Sequence, residues 1–527
     1  MNNGLKEFSK MVLKSLYKIE WLITAVAAVL FFQCGRMSDS SGMKGDWMTC
    51  RSDSICVDVF VPDVSWSRSM AIWPISSEPV SGREEEMSQL VTQYLYRELM
   101  TLKGVRVLAP RYLDMDYLHH DHIDYLLKGE IRESDSRIMV TLRLVDVAGD
   151  TNIWAGTYIE DMASLPDIGK KAGYNVARTI GIRKKKGKDS SADELSGEKS
   201  LFTVQGDFFR MKRTPDDAAK ATEAYLKALE TDSLNTAAWI GLASNYLDTY
   251  EMRGHDKLIW INLVQKAVSC AMNREPDLAD GHVLLGRSFL CLGDWKQAES
   301  AFRKALTLNP NQYPAWKGLA RVFLHFGLYD PASAAFQKVL LLNPADTTAS
   351  LGLVMIKTGM GQYKEAEHIL LDALKFNPDQ SVLNTMLALV YHYQNEPDRA
   401  FVSVYRGMAS TVHHVYPHAV LAILYAKQGS DKQAINEINE YVEPYAVNDS
   451  DLAMSVAAVY SLLGKEDHAM YWLEKAVTLG YTEYPWLIHD EDFSTLFYNH
   501  QFGQFLDSLQ SVYESQMLSY QMNLSQK

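Results

Sequence analysis

The chain has 527 residues, 47% hydrophobic and 22% charged, which suits two to four globular domains and excludes a wholly disordered or collagen-like polymer. Lys plus Arg is 52 and Asp plus Glu is 65, a net of −13, which argues against nucleic-acid binding through a broad basic face. Five cysteines are too few for a disulfide scaffold.

The first 65 residues read as an address followed by a tether. Lys6, Lys10, Lys14 and Lys18 precede an apolar run from Trp21 to Phe32. That run, as helix, covers about 18 Å against about 30 Å of hydrocarbon, which is short for a membrane span and right for a signal-peptide core. Gln33-Cys34-Gly35 and a polar stretch follow. An apolar run that ends at a cysteine before a polar tether resembles a bacterial lipoprotein signal. The resemblance implies cleavage before Cys34 and a lipid on it, although Gln33 stands where that family has a small residue. An uncleaved signal anchor and ordinary cleavage are the alternatives. All three place the residues beyond about 35 outside the cytoplasm. Residues 1–34 are thus assigned to the signal or anchor and 35–65 to a polar tether. Within the tether, Cys50 and Cys56 flank a short polar loop, where an oxidising compartment permits a bridge; two free thiols are the other reading.

Residues 66–182 read as a compact α/β domain. Met70–Ile75 is a short buried strand, and Arg83–Thr101 an amphipathic helix with Met87, Leu90, Val91, Tyr94, Leu95 and Leu99 on one face. A strand from Val105, a short helix to His119, three strands (Tyr125–Arg132, Arg137–Val147, Ile153–Ile159) and a helix from Pro166 complete the order β-α-β-α-β-β-β-α. Met70–Ile75, Tyr125-Leu-Leu-Lys-Gly-Glu-Ile131, Val140-Thr-Leu-Arg-Leu-Val-Asp146 and Gly149-Asp-Thr-Asn-Ile-Trp154 resemble the TolB-amino-terminal/FlgO-like domain. The resemblance implies a binding or sensing module of bacterial envelope proteins and CadC-like regulators, with no general catalytic residues. His119-His120-Asp121-His122 is metal-like in composition, but only His119 and His122 share a helix face, so a solvated helix end is the reading taken. Residues 183–199, opening with Arg183-Lys-Lys-Lys-Gly-Lys188, read as an exposed linker.

From residue 200 the chain repeats itself. Gly293, Gly327 and Gly361 are 34 apart, as are Ala298, Ala332 and Ala366, and Pro310, Pro344 and Pro378. Trp316-x-x-Leu319-Ala320-x-x-Phe323 fills the remaining pattern, which is that of the tetratricopeptide repeat (TPR). About eight units are expected over 200–481, then capping helices over 482–510 and a tail over 511–527. The fold class is a small α/β N-terminal domain followed by an all-α superhelix, a right-handed solenoid of helix pairs.

No P-loop, GxGxxG after a strand, HExxH, CxxC or GxSxG is present, so no catalytic residue, cofactor or metal is assigned. Residues 200–527 carry 26 basic and 37 acidic side chains, a net of −11. Against that background, repeat phase puts Arg287, Leu290, Lys317, Arg321, Leu324, Leu351, Met355, Leu389, His392, Tyr393 and Ile423 on the inner face. The basic members suit an acidic or carboxylate-bearing extended peptide. The two-carboxylate clamp of chaperone-binding repeats is not matched, since Val283 and Arg287 hold its first two positions. The expected role is a non-enzymatic envelope scaffold, tethered by its N-terminus, that binds a protein or peptide and no nucleic acid. The rivals are an inner-membrane signalling receptor and an enzyme with an interdomain site.

Overall fold

The computed structural model describes residues 45–51, 55–77, 82–111, 113, 115–134, 137–182, 196–253, 256–409 and 415–525. The signal segment with Cys34, the linker over 183–195 and His413-His414 lie outside these residues.

Strands β1 (Gly45–Arg51) and β2 (Cys56–Pro62) form an antiparallel hairpin. Residues 45–62 are therefore not the expected tether. Val57, Val59 and Val61 alternate along β2 and are all buried, the pattern of a half-buried strand of β-branched residues. Cys50 is paired with Val57, and Cys56 with Arg51, so the cysteines are not a cross-strand pair. A bridge, one of the two readings of these cysteines, has no directly opposed pair in this register.

The α/β domain has the expected order with one addition, a two-residue strand before its first helix. It comprises β3 (Arg68–Ile72), β4 (Ser76–Ser77), α1 (Gly82–Leu99), β5 (Val105–Val107), α2 (Met115–His120), β6 (Tyr125–Ser134), β7 (Arg137–Asp146), β8 (Thr151–Glu160) and α3 (Leu165–Thr179). The sheet runs β5-β3-β6-β7-β8, with β3 parallel to both neighbours and β6, β7 and β8 antiparallel. On β7, Ile138, Val140, Leu142 and Leu144 are buried while Arg143 is exposed, as alternation requires. They share one core with Leu90, Val91 and Leu95 of α1 and Ile168, Ala172 and Val176 of α3. A smaller core under α2 covers the other face through Leu118, Ile123, Leu126 and Val145.

Among the described residues, eight helix pairs follow. They are α4 (Ser196–Met211) with α5 (Pro215–Thr231), α6 (Thr236–Arg253) with α7 (Lys257–Arg274), α8 (Ala279–Leu292) with α9 (Trp295–Leu308), and α10 (Tyr313–His325) with α11 (Tyr329–Leu342). Next come α12 (Thr347–Gly359) with α13 (Tyr363–Phe376) and α14 (Ser381–Tyr393) with α15 (Pro397–Met408). In the seventh pair, α16 (Val415–Lys427) meets a second helix that starts as α17 (Asp431–Glu437), widens to a π turn at Ile438–Val442 and ends as α18 (Glu443–Ala446). The eighth is α19 (Ser450–Leu462) with α20 (Glu466–Thr478). Small residues set the spacing. A Cβ on Gly286 or Gly318 would stand 2.5 or 2.2 Å from the Phe302 ring, so the phenyl fits only between two glycines of successive first helices. The turn within a pair needs the left-handed region; Gly327 supplies φ +67°, and in the sixth pair Asn395 does so at +59°.

After α20 come α21 (Tyr484–Leu487), a 3₁₀ segment (Glu491–Tyr498) and α22 (His500–Ser525). The described part of the expected tail is thus helical, within α22, and its Tyr513, Met517 and Tyr520 are buried. Tyr513 donates to the Gly327 carbonyl at 3.1 Å, and Tyr520 packs on Phe323 and Phe326 and donates to Glu299 at 2.9 Å. The C-terminal segment therefore returns over the middle repeats instead of capping the last one alone.

The α/β domain is also fastened to the array by direct contacts. Val204 of α4 belongs to the α/β core. Asn311, 2% exposed, donates through Nδ2 to the Met100 and Val105 carbonyls, both at 2.9 Å. The Ala109 amide donates to the Leu342 carbonyl at 2.7 Å, and Tyr117 packs edge-on against Phe376. The hairpin is held from the array side by Arg303, which donates to the Phe60 carbonyl at 2.7 Å.

Candidate binding groove of the repeat array

Successive first helices touch one another (α4 with α6, α6 with α8, α8 with α10, α12 with α14, α14 with α16) and so form the inside of the curve. Ala320 and Leu319 turn into the helix pair and are fully buried, which leaves Lys317 and Arg321, one turn apart, on the inner face.

The basic candidates stay accessible. Arg321 is exposed and makes no ion pair among the described residues. Arg287 is half-buried and paired with Glu251. Lys317 reaches Asp346 at 2.8 Å. Asp346 is buried and also caps α12 by accepting from the Ala349 amide at 3.0 Å. Lys317 is thus a structural ion pair as well as a surface charge. Leu290 is half-buried, and Met355 is exposed. Leu324 and Met355 line a cavity of about 40 Å³ against Pro485 and Trp486 of the C-terminal segment.

The later candidates are not open. His392 is buried, its Nε2 2.8 Å from both carboxylate oxygens of Asp492. Tyr393 stacks on Tyr363 and donates to Asp490 at 3.1 Å. Leu351 and Leu389 pack against core clusters, and Ile423 lies within one. These positions lie on the first helices α12, α14 and α16, and the C-terminal segment and neighbouring helices cover them. Burial and the nearby Asp492 push Asp490 up to about 7.

Sequence reasoning missed a second set of groups on and beside the first helices. Asp207 accepts from Tyr94 of α1 at 2.9 Å and from Tyr225 at 2.6 Å. Arg210 meets Asp248 at 3.1 Å, and Gln312 donates to Asp280 at 2.6 Å. Tyr313 is pushed up by burial and by Asp346, against the pull of Arg213 and Arg287. Tyr313, four residues before Lys317, was visible in the repeat phase; nothing in the sequence put α1 beside it.

Elsewhere, a cavity of about 290 Å³ is lined by His119, His122, Asp124 and Asp146 at one end of the sheet. Among the described residues no cluster of three His, Cys, Asp or Glu is placed to hold a metal. Nor, among them, is any helix long and apolar enough to cross a membrane.

Two tetratricopeptide repeat family models match the chain, one over residues 283–350 and one over 327–390. Residues 283–390 are tetratricopeptide repeats. Their kind is an interaction scaffold rather than a catalyst. No curated protein matches the sequence. Among solved structures, a tetratricopeptide repeat protein from Parabacteroides merdae is 16% identical, covering 53% of this chain and 98% of its own at a TM-score of 0.34. Pseudomonas aeruginosa pilF is 16% identical over 40% of this chain and 91% of its own, at 0.35.

Proposed function

We propose that the protein is a cell-envelope scaffold, tethered at its N-terminus, whose tetratricopeptide groove binds an acidic, extended segment of a partner protein. One observation carries the groove reading: Arg321 projects from the inner face of α10 without an ion pair among the described residues, beside Lys317 and Arg287, in a region of net −11. A cation left uncompensated in acidic surroundings favours an anionic partner and steers its approach. The α/β domain anchors or senses, a reading supported by its resemblance to the TolB-amino-terminal/FlgO-like family. The envelope reading rests on the basic-then-apolar N-terminus that ends at Cys34.

The groove is tested by partner binding to Arg321→Glu across a salt series. Affinity should fall and the difference should shrink as salt shortens the screening length below about 8 Å. Equal affinity at all salt concentrations would move the partner elsewhere. The mass of the mature chain tests the anchor: a lipidated product starting at Cys34 supports the tethered scaffold, and an intact N-terminus supports the inner-membrane receptor.

A further inference from the structure

The sheet of the α/β domain has two outer edges, and they differ in how they are covered. The edge at β5 is three residues long and lies under the array: Asn311 donates to the Val105 carbonyl at 2.9 Å, and the nearby Ala109 amide donates to the Leu342 carbonyl at 2.7 Å. The edge at β8 is ten residues long, and among the described residues no strand pairs with its outer side. Sheets protect such an edge with lysine, proline, a covering element or a short strand. From Thr151 to Ile159, β8 has neither a charged residue nor a proline. Its ladder with β7 shifts register between Leu144 and Val145, so the regular edge starts at Trp154.

Both faces of this edge offer apolar surface. On one, Ile153 is 40% and Ile159 57% exposed. On the other, Trp154 and Tyr158 pack against the margin of the α/β core, and Asn175 of α3 donates to the Tyr158 hydroxyl at 3.0 Å. A Cβ on Gly156 would stand 2.6 Å from the Trp154 ring and 3.3 Å from the Tyr158 hydroxyl, so both rings lean over the glycine. A glycine inside a strand marks a place where another backbone can approach closely.

The order of side chains about Gly156 selects the occupant. Reading outward from it, Ala155 and Thr157 are small, Trp154 and Tyr158 aromatic, and Ile153 and Ile159 aliphatic. In an antiparallel pair related by a two-fold axis, each residue meets its mirror position in the other copy. With the axis at Gly156, Ala155 meets the second copy's Thr157 and Trp154 meets its Tyr158. Ile153, just beyond the register shift, meets its Ile159. Aromatic and β-branched cross-strand pairs of this kind stabilise sheets. Glu160, the first charge on the strand, is held by Lys171 and lies opposite Asn152 of the second copy, so no like charges face each other. At 3.4 Å per residue the edge is about 34 Å long, which buries less than the roughly 800 Å² per partner of a standard interface. The pairing it supports is therefore reversible, with a dissociation constant in the micromolar range or above.

We propose that β8 is a self-association edge: two copies pair their β8 strands antiparallel about a two-fold axis at Gly156 and join their sheets into one. This surface is separate from the groove, so the proposal stands independently of the groove reading.

The test is sedimentation equilibrium of the full chain in detergent over a dilution series. The wild type should move between monomer and dimer. A chain carrying both Ala155→Lys and Thr157→Lys sets lysine opposite lysine twice and should associate at least tenfold more weakly. The chain with glutamate at the same two positions should behave alike, and an equimolar mixture of the two should dimerise again. Both positions are exposed, so the dilute variants should melt as the wild type does. Register is read by mild oxidation: Ala155→Cys chains mixed with Thr157→Cys chains should crosslink several-fold faster than either alone. If the charged variants do not fold, the cysteine mixture decides. A wild type that is monomeric at every concentration, a dimer that the lysine pair leaves intact, or crosslinking with no preference for the mixture would overturn the proposal. Capture of a different protein by β8 in a monomeric wild type would give the edge to a foreign strand and overturn it as well.

Discussion

Asn311→Ala tests whether the α/β domain and the repeats form one cooperative unit. Asn311 lies in the loop between α9 and α10, and its amide donates to two backbone carbonyls of the α/β domain, at Met100 and Val105. Both bonds are buried, so the alanine leaves two carbonyls without their donor inside the interface. Each such loss costs about 1 kcal/mol or somewhat more, and the pair about 2–3 kcal/mol. The Asn311 oxygen is buried without a partner among the described residues, so its removal offsets part of that loss and leaves about 1–2 kcal/mol net. The assay is native-state hydrogen exchange, read separately on β6 and β7 and on α9 to α11, with denaturant unfolding alongside. Coupled domains predict that both segments lose the same free energy, about 1–2 kcal/mol. Protection lost in the repeats alone, or a loss below about 0.5 kcal/mol, would show that the contact does not join the domains.

Other predictions follow from single contacts. Gly318→Ala should destabilise the array by about 1–3 kcal/mol in denaturant unfolding, because the new Cβ lies 2.2 Å from the Phe302 ring; a neutral result would mean that the phenyl can move aside. Lys317→Glu should cost about 2 kcal/mol, since it sets a carboxylate against the buried Asp346, whereas Arg321→Glu should stay within about 0.5 kcal/mol. Equal melting temperatures for the two variants would contradict that asymmetry. Asp490 faces Asp492, His392 and Tyr393, with Lys427 3.9 Å from Asp492. Its folded pKa is raised to about 7, so between about pH 4 and pH 7 the folded state holds a proton that the unfolded state has lost. Its contribution to stability therefore falls as pH rises through that window. Asp490→Asn, which keeps an acceptor for Tyr393, should flatten the fall and stabilise the chain at pH 8; an unchanged pH profile would assign the titration to another group.

The repeats were legible because a 34-residue period in Gly, Ala and Pro fixes both helices of each pair and the turn between them. The α/β order was legible from alternation on β7 and the spacing on α1. The hairpin was missed although Val57, Val59 and Val61 alternate, because the polar residues around Cys50 and Cys56 dominated the reading of that stretch. The helical tail was missed although Tyr513, Met517 and Tyr520 recur at spacings of four and three. Docking left no local trace at all: Asn311 and Met100 are 211 residues apart, and neither side of that contact shows a period. The groove residues divide on the same line. Repeat phase assigns a face to Arg321 and to His392 alike, but a segment 100 residues further on covers only His392.

Photocrosslinking in intact membranes tests the central claim, that a partner occupies the inner face of the repeats. A benzophenone side chain is placed in turn at Arg321 and Met355 on that face and at Tyr471 on the second helix α20, which is also exposed. Occupancy of the groove predicts that one partner is captured at Arg321 and Met355, is lost from both when free hexaglutamate competes, and is absent at Tyr471. Capture at Tyr471 alone, or capture at the inner face that hexaglutamate does not reduce, would contradict it.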